Sequence, residues 1–473
     1  MNYIQHQINV QPISTNNFNN HLHIPSLLTG FTNTNTHTKK TKSNRTVYCF
    51  EGQLDIDETD RICECGCKTH KNGTGYPVTI RHLPFGDNLT HIQLFSHQFV
   101  CSNPKCNKSK MQSIPFKADN HFITHELEQY TKDILSHNCY TLKQVAELTG
   151  LGKNTVKQID KRRLQENYTI DGETLIKPEV YAKYLGIDEF KLHNGYKYAT
   201  HIIDMETGHI LWIAHGKKKQ VVYDFINHVG NEWMEHVEAV ACDMNSDFEE
   251  AFEEKCEHIQ PVFDYFHIVK NFNDKLVSAV RKDEQKRLED EGNVEAAQQF
   301  KKSRYILMSK RSTLQRKDHE AKEGKILSKG SNLFNIPNKV RAKGHEEKYD
   351  ALLKENELLF KMDIMKEKLT LAYAQTEENK MSAIINEIVE LCEETGNKHF
   401  KWFKRLLLNH YEGIIAHATI RISSGKIEGI NNKIKTIRRM GYGYPDDEYF
   451  FLKLFDMSRV SYTRNQKSHR ICD

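Results

Sequence analysis

Between Tyr181 and Phe266 three β segments in succession give way to alternating helix and strand, and no other feature narrows the fold of this chain as much. Tyr184–Phe190 reads as a first strand, followed by a turn signal at His193-Asn-Gly195. Tyr198–Ile203 reads as a second strand, turned at Glu206-Thr-Gly208 into a third, His209–Ala214. Helical spacing follows over Gln220–Val229, then a buried-looking strand Val237–Cys242 that ends at Asp243. A second helix over Ser246–Cys256 and a short strand Pro261–Phe263 complete the run. A meander that passes into helix–strand alternation predicts one mixed sheet flanked by helices.

That order is the order of an RNase H-like fold, and the architecture expected is multidomain α/β. A single core rarely grows beyond roughly 250 to 300 residues, so a chain of 473 must hold further modules. Residues 1–43, rich in Asn, Thr, Gln and His, are expected to be mostly disordered, with one short docked helix over His23–Phe31. Residues 44–118 read as a small β-rich, metal-stapled domain containing strands at Thr46–Phe50 and His91–Phe95, and residues 119–170 as a helix-turn-helix. The catalytic core is expected in two parts, 178–275 and 406–460; between them 276–405 reads as almost wholly helical and charged, a helical insertion or a separate helical domain, interrupted near Gly330–Gly344 around Pro337. Residues 461–473 form a tail. No apolar run approaches the roughly 20 residues needed to span a bilayer, so a soluble, cytoplasmic protein with no membrane partner is expected. Lys and Arg total 67 against 63 acidic residues, and a formal net charge of +4 is too small to argue for nucleic acid by itself. The clustering of basic residues at Lys153–Arg163 and Lys433–Arg439 carries more weight.

Three carboxylates stand out: Asp188 in the first strand, Asp243 at the end of the fourth, and Glu428 on a late helix. Asp188 and Asp243 each interrupt an apolar run, where an uncompensated charge would carry a desolvation penalty. Brought together, such a trio can hold two Mg²⁺ ions, or Mn²⁺, about 4 Å apart for in-line displacement at phosphorus. Asp204 and Asp264 compete for a place, although Asp204 precedes a Gly-containing turn where Asp serves local hydrogen bonding. His267 and Lys270 open a helix beside the sheet, suited either to phosphate or to a plain surface helix start.

Five of the 11 cysteines fall between Cys63 and Cys106. Cys63-Glu-Cys-Gly-Cys67 faces Cys101 and Cys106 across a β-rich stretch, and four thiolates suit a structural, tetrahedral Zn²⁺. Cys63 with Cys65, Cys65 with Cys67, and Cys63 with Cys67 remain open as the first pair. Thr141–Ile159 has helix-turn-helix spacing: Thr141 as N-cap, an apolar face of Val145, Ala146 and Leu148, Gly150 at the turn, and Val156 with Ile159 packing back. Its second helix would offer Lys153, Asn154, Thr155 and Lys157 to a major groove, with Lys161, Arg162 and Arg163 near phosphate. A plain helical hairpin has the same spacing. Lys435, two turns after Glu428, and Lys433, Arg438 and Arg439 extend a basic surface toward Gly441-Tyr-Gly-Tyr444, whose tyrosines could stack on a base or simply pack.

The blocks Gly186-Ile-Asp-Glu-Phe190, Ala241-Cys-Asp-Met244, Phe263–Lys270 and Ser423–Lys435 resemble, in order, those of the bacterial DDE transposases of the ISL-three insertion-sequence group. The resemblance runs from about residue 23 onward; Ser424 departs from it, since relatives more often carry Asn there. It implies that Asp188, Asp243 and Glu428 form the metal-binding triad and that the N-terminal cysteines form a zinc finger. It also implies double-stranded DNA partners, both element ends and target, a homo-oligomer assembled on DNA, and nucleoid association when DNA-bound. An RNase H-like nuclease without strand transfer, or a catalytically silent DNA-binding descendant, would share many of these features.

Overall fold

The computed structural model describes residues 28–193, 197–244, 246–423, 425–441 and 443–459. They divide into two compact units, one formed by residues up to Ile176 together with those from Ile437, the other by Lys177–Thr436.

The first unit is built on strands β1 (Phe31–Lys40), β2 (Thr46–Leu54), β3 (Thr69–Phe85), β4 (Asn88–Cys101) and β5 (Ser109–Met111). They pair in the order β1-β2-β4-β3, with β5 also on β4; only β2 and β4 run parallel. Alternation along β4 turns Ile92 and Leu94 inward onto Leu54, Ile80 and Phe116. Strand β1 corrects the expectation of disorder through residue 43: its Asn- and Thr-rich side chains are largely exposed, and the antiparallel backbone ladder to β2 orders it instead. Most of the helix expected at His23–Phe31 lies outside the described residues; at its end Leu28 is buried.

Three helices follow, His125–Ser136, Leu142–Thr149 and Lys153–Tyr168. The second opens on a capping box between Thr141 and Gln144 and stops at Gly150, whose φ of +72° a side chain would strain. Val145, Leu151, Val156 and Ile159 close the core with Leu127 and Leu135, whereas Leu148, read as part of the apolar face, is 45% exposed. A fourth helix, Asp447–Arg459, packs on Lys153–Tyr168, so the stretch 406–460 does not belong wholly to the catalytic core as expected. Leu164 meets Tyr449 and Leu452, and a buried ionic cluster surrounds them. Arg163 donates to Asp160 and Asp456, each at 2.9 Å; Lys453 donates to Asp160 at 2.8 Å, and Tyr168 to Asp456 at 2.9 Å.

The second unit carries β6 (Tyr184–Lys191), β7 (Tyr198–Asp204), β8 (Ile210–His215), β9 (Ala239–Ala241) and β10 (Gln260–Val262), close to the expected segments. Asn194 and Gly195 of the expected first turn lie outside the described residues. The sheet order is β10-β9-β6-β7-β8, with β6, β7 and β8 antiparallel and β9 and β10 parallel to β6. Helices from Lys219–Val229 to Lys398–Asn409 share one core with the sheet, in which Phe225, Phe263, Phe272, Phe400 and Phe403 are buried. The helix Gly425–Met440 lies across β6: a Cβ on Gly186 would stand 2.9 Å from Ile427 Cδ1, so the absence of a side chain there lets the helix approach.

Asp456→Ala should leave Arg163 buried with half its partners, lowering the stability of the first unit by about 3 to 5 kcal/mol in chemical denaturation. A loss below about 1 kcal/mol would mean that the fourth helix is not held by this cluster.

Candidate active site and metal centres

Strands β6 and β9 pair Tyr184 with Ala239, Leu185 with Val240 and Gly186 with Ala241. The same register carried two residues further sets Asp188 opposite Asp243, on the face that receives the helix Gly425–Met440. Asp188 Oδ1 accepts from the Glu189 amide at 2.8 Å, and Oδ2 accepts from Asn431 Nδ2 at 2.6 Å. Asn431 Oδ1 lies 3.0 Å from His201 Nε2; because that oxygen is an acceptor, the ring must present N–H there. His201 is wholly buried, and burial holds its pKa below the ordinary imidazole value, so the ring is neutral. A chain of His201, Asn431 and Asp188 therefore fixes one carboxylate.

Asp243 Oδ1 accepts from the Met244 amide at 2.8 Å and lies 3.0 Å from His267 Nδ1. Burial opposes its charge, but His267 and Lys270 outweigh burial and keep its pKa below the usual carboxylate value. Glu189, next to both acids, is pushed upward by burial and by Asp188 and Asp243, against the pull of Lys217. Asp204 is engaged otherwise: its carboxylate accepts from the Glu206 amide at 2.8 Å and from the Thr207 hydroxyl, which is the local turn role its position suggested. Asp264 precedes the helix Tyr265–Asn271.

Glu428 lies in the first turn of Gly425–Met440, exposed, and three residues before Asn431 on the same helix face. Asp188 thus stands in β6, Asp243 two residues beyond the end of β9, and Glu428 on the helix that crosses β6. Their oxygens do not all lie within 4.8 Å of one another; among the described residues the gathered group of that kind is a set of four cysteines. Hard carboxylate oxygens in a partly desolvated cleft nevertheless have the donor chemistry for Mg²⁺ or Mn²⁺. Ser424 lies outside the described residues.

The four cysteines are Cys63, Cys65, Cys101 and Cys106. Cys63 and Cys106 sulfurs are 3.8 Å apart, and those of Cys65 and Cys101 3.5 Å, near the spacing of corners around one tetrahedral Zn²⁺. A tight turn sets the first pair: Cys63 N donates to Cys67 O, Gly66 N donates to Cys63 O, and Gly66 has a φ of +79°. Cys67 closes that turn through its backbone; its sulfur is not among the four gathered ones, although its thiol neighbours that of Cys65. Its amide, and then the Cys101 thiol, draw the Cys65 pKa down to about 6, favouring the thiolate a metal needs.

A transposase family model, that of the ISL3-group DDE transposases, matches residues 185–454, more than half of the chain and all three acids. The chain belongs to the ISL3-group DDE transposases. It is also 25% identical over 394 residues, 83% of this chain and 87% of the relative, to the transposase for insertion sequence element IS1001 from Bordetella parapertussis.

Within this transposase the expected DNA-facing residues divide. Lys153 and Asn154 are exposed and Thr155 half-buried, at the free start of the helix Lys153–Tyr168. Lys157 instead reaches Asp446 at 2.9 Å, Lys161 reaches Glu448 at 3.0 Å, and Arg162 reaches Glu128 at 3.1 Å. Lys435 and Arg439 are exposed, Lys433 and Arg438 half-buried. Tyr444 is packed on Phe450, while Tyr442 lies outside the described residues. Sequence reasoning missed Asn431 and His201; the amide stands on the same helix face as Glu428, which was the available signal, whereas His201 is recognisable only once β7 is paired with β6.

Purified protein should carry one zinc per chain by elemental analysis. Serine at Cys63, Cys65, Cys101 or Cys106 should lower that content, while Cys67→Ser keeps it; zinc lost with Cys67→Ser but retained with Cys63→Ser would reverse the ligand assignment.

Proposed function

We propose that this transposase binds the terminal inverted repeats of its element and, with a divalent metal, cuts and joins DNA on an RNase H-like core. The observation that supports the reading is the hydrogen bond from Asn431, on the helix that bears Glu428, to Asp188, together with the β6–β9 register that runs toward Asp243. These three carboxylates would hold Mg²⁺, which supplies Lewis-acid activation of the attacking and leaving oxygens at phosphorus. Asn431 and the Glu189 amide orient Asp188; His267, with Lys270, stabilises the ionised form of Asp243. No side chain needs to form a covalent intermediate, since water and then a DNA 3′-hydroxyl serve as nucleophiles.

The N-terminal unit supplies recognition in this reading. The zinc-stapled sheet and the helix-turn-helix present Lys153, Asn154 and Thr155 to DNA, with Lys435 and Arg439 as further phosphate contacts. The protein would act as an oligomer joining two ends.

With DNA carrying the element's ends and Mg²⁺, Asp188→Asn, Asp243→Asn and Glu428→Gln should each abolish cleavage while leaving end binding in place, and EDTA should do the same. Asn431→Ala should lower cleavage by about 10- to 100-fold, the usual cost of losing a group that orients a metal ligand. Full cleavage by Asp188→Asn or Glu428→Gln would contradict the triad.

In salt titrations Lys153→Ala should reduce the log–log slope of end binding by about 0.9, the change expected when one phosphate is no longer neutralised. Lys157→Ala, already paired with Asp446, should leave it unchanged. The reverse pattern would place the other face of the helix on DNA.

A further inference from the structure

The break in the helical insertion around Pro337 is an ordered hairpin. Ile326–Ser328 pairs with Lys339–Val340, and further out Ser331 and Ile336 exchange two backbone hydrogen bonds of 2.9 Å. Asn338 Oδ1 accepts from the Gly330 amide at 2.6 Å, and Asn335 takes a φ of +52° to close the tip. At the base Glu320 receives Lys325 at 2.8 Å and Arg341 at 2.9 Å. This well-held tip nonetheless presents Leu333, 84% exposed, and Phe334, 71% exposed, to solvent. From Lys325 to Lys343 the chain has five basic residues and no acidic one.

We propose that this hairpin is a DNA wedge, whose Leu333–Phe334 tip enters a weakened base step while Lys329 and Lys339 hold the flanking phosphates. The inference rests on the DNA reading above and adds to it a second contact surface and a distorted substrate. Two adjacent large apolar side chains on a hydrogen-bonded tip serve no core, and such exposure marks a binding surface. The charge around them selects its occupant: two such hairpins brought together would set lysines against lysines, whereas a polyanion is matched. Apolar side chains carried between basic flanks are suited to partial unstacking, which costs a few kcal/mol per step and is least for a step already unpaired.

The test uses the full chain and two duplexes of one sequence, one fully paired and one with a central mismatch next to 2-aminopurine. Wild type should bind the mismatched duplex about tenfold more tightly, as expected when at least ~1.4 kcal/mol of unstacking has been met in advance, and should change the 2-aminopurine fluorescence. Leu333→Ala with Phe334→Ala should lose both effects yet bind the paired duplex as wild type does, with an unchanged circular dichroism spectrum. Lys329→Ala with Lys339→Ala should weaken binding to both duplexes and flatten the salt dependence. If wild type binds DNA but the tip variant keeps the preference, the wedge is wrong and the DNA reading stands. If wild type binds neither duplex, both fall. If the tip variant turns an oligomer into a monomer by light scattering, the hairpin is a subunit contact and the wedge is overturned.

Discussion

Two carboxylates at the same level of neighbouring parallel strands repel each other and resist burial, and the catalytic unit is arranged around that conflict. The pairing of β6 with β9, carried two residues past the end of β9, brings Asp188 level with Asp243. Each takes the amide of the residue that follows it, and each then has a different external partner: Asn431 for Asp188, His267 for Asp243. For Asp243 the His267 and Lys270 charges favour the ionised form against burial, and a shared cation would answer the repulsion more directly. Gly186 belongs to the same arrangement, because a side chain there would meet Met205 Sδ and the tip of Ile427 on the helix that carries Asn431 and Glu428.

The first unit is stabilised by a comparable concentration of charge put to another use. Asp160, Arg163, Lys453 and Asp456 are buried together, and their mutual hydrogen bonds fix the helix Asp447–Arg459 against the second helix of the helix-turn-helix. Neighbouring Asp446 and Glu448 occupy Lys157 and Lys161, which leaves the first turn of that helix as its open basic end. The cysteine cluster brings the loop after residue 62 to the end of β4.

Much of the catalytic sheet was legible because period-two runs of Ile, Val and Leu and Gly-containing turns report locally on β6, β7 and β8. Asp188 and Asp243 were legible for a related reason, since acids in apolar runs demand an explanation. Strand β1 was not: Thr, Asn and His along Phe31–Lys40 carry no burial signal, and only the ladder to β2 defines it. Which of Cys63, Cys65 and Cys67 gather with Cys101 and Cys106 depends on how a five-residue turn closes, and composition could not choose among the three. Lys157 and Lys161 were read as a basic surface because their acidic partners lie nearly 290 positions away. Asn431 was hidden by chemistry, as one amide among many until the helix crossed β6.

The most direct measurement of the central claim is anomalous diffraction from crystals of the transposase with end DNA and Mn²⁺. The account predicts manganese between Asp188 and Asp243, with the Glu428 carboxylate drawn into the same site. Manganese bound elsewhere on the chain, with Glu428 still apart from the two aspartates when DNA is in place, would contradict it.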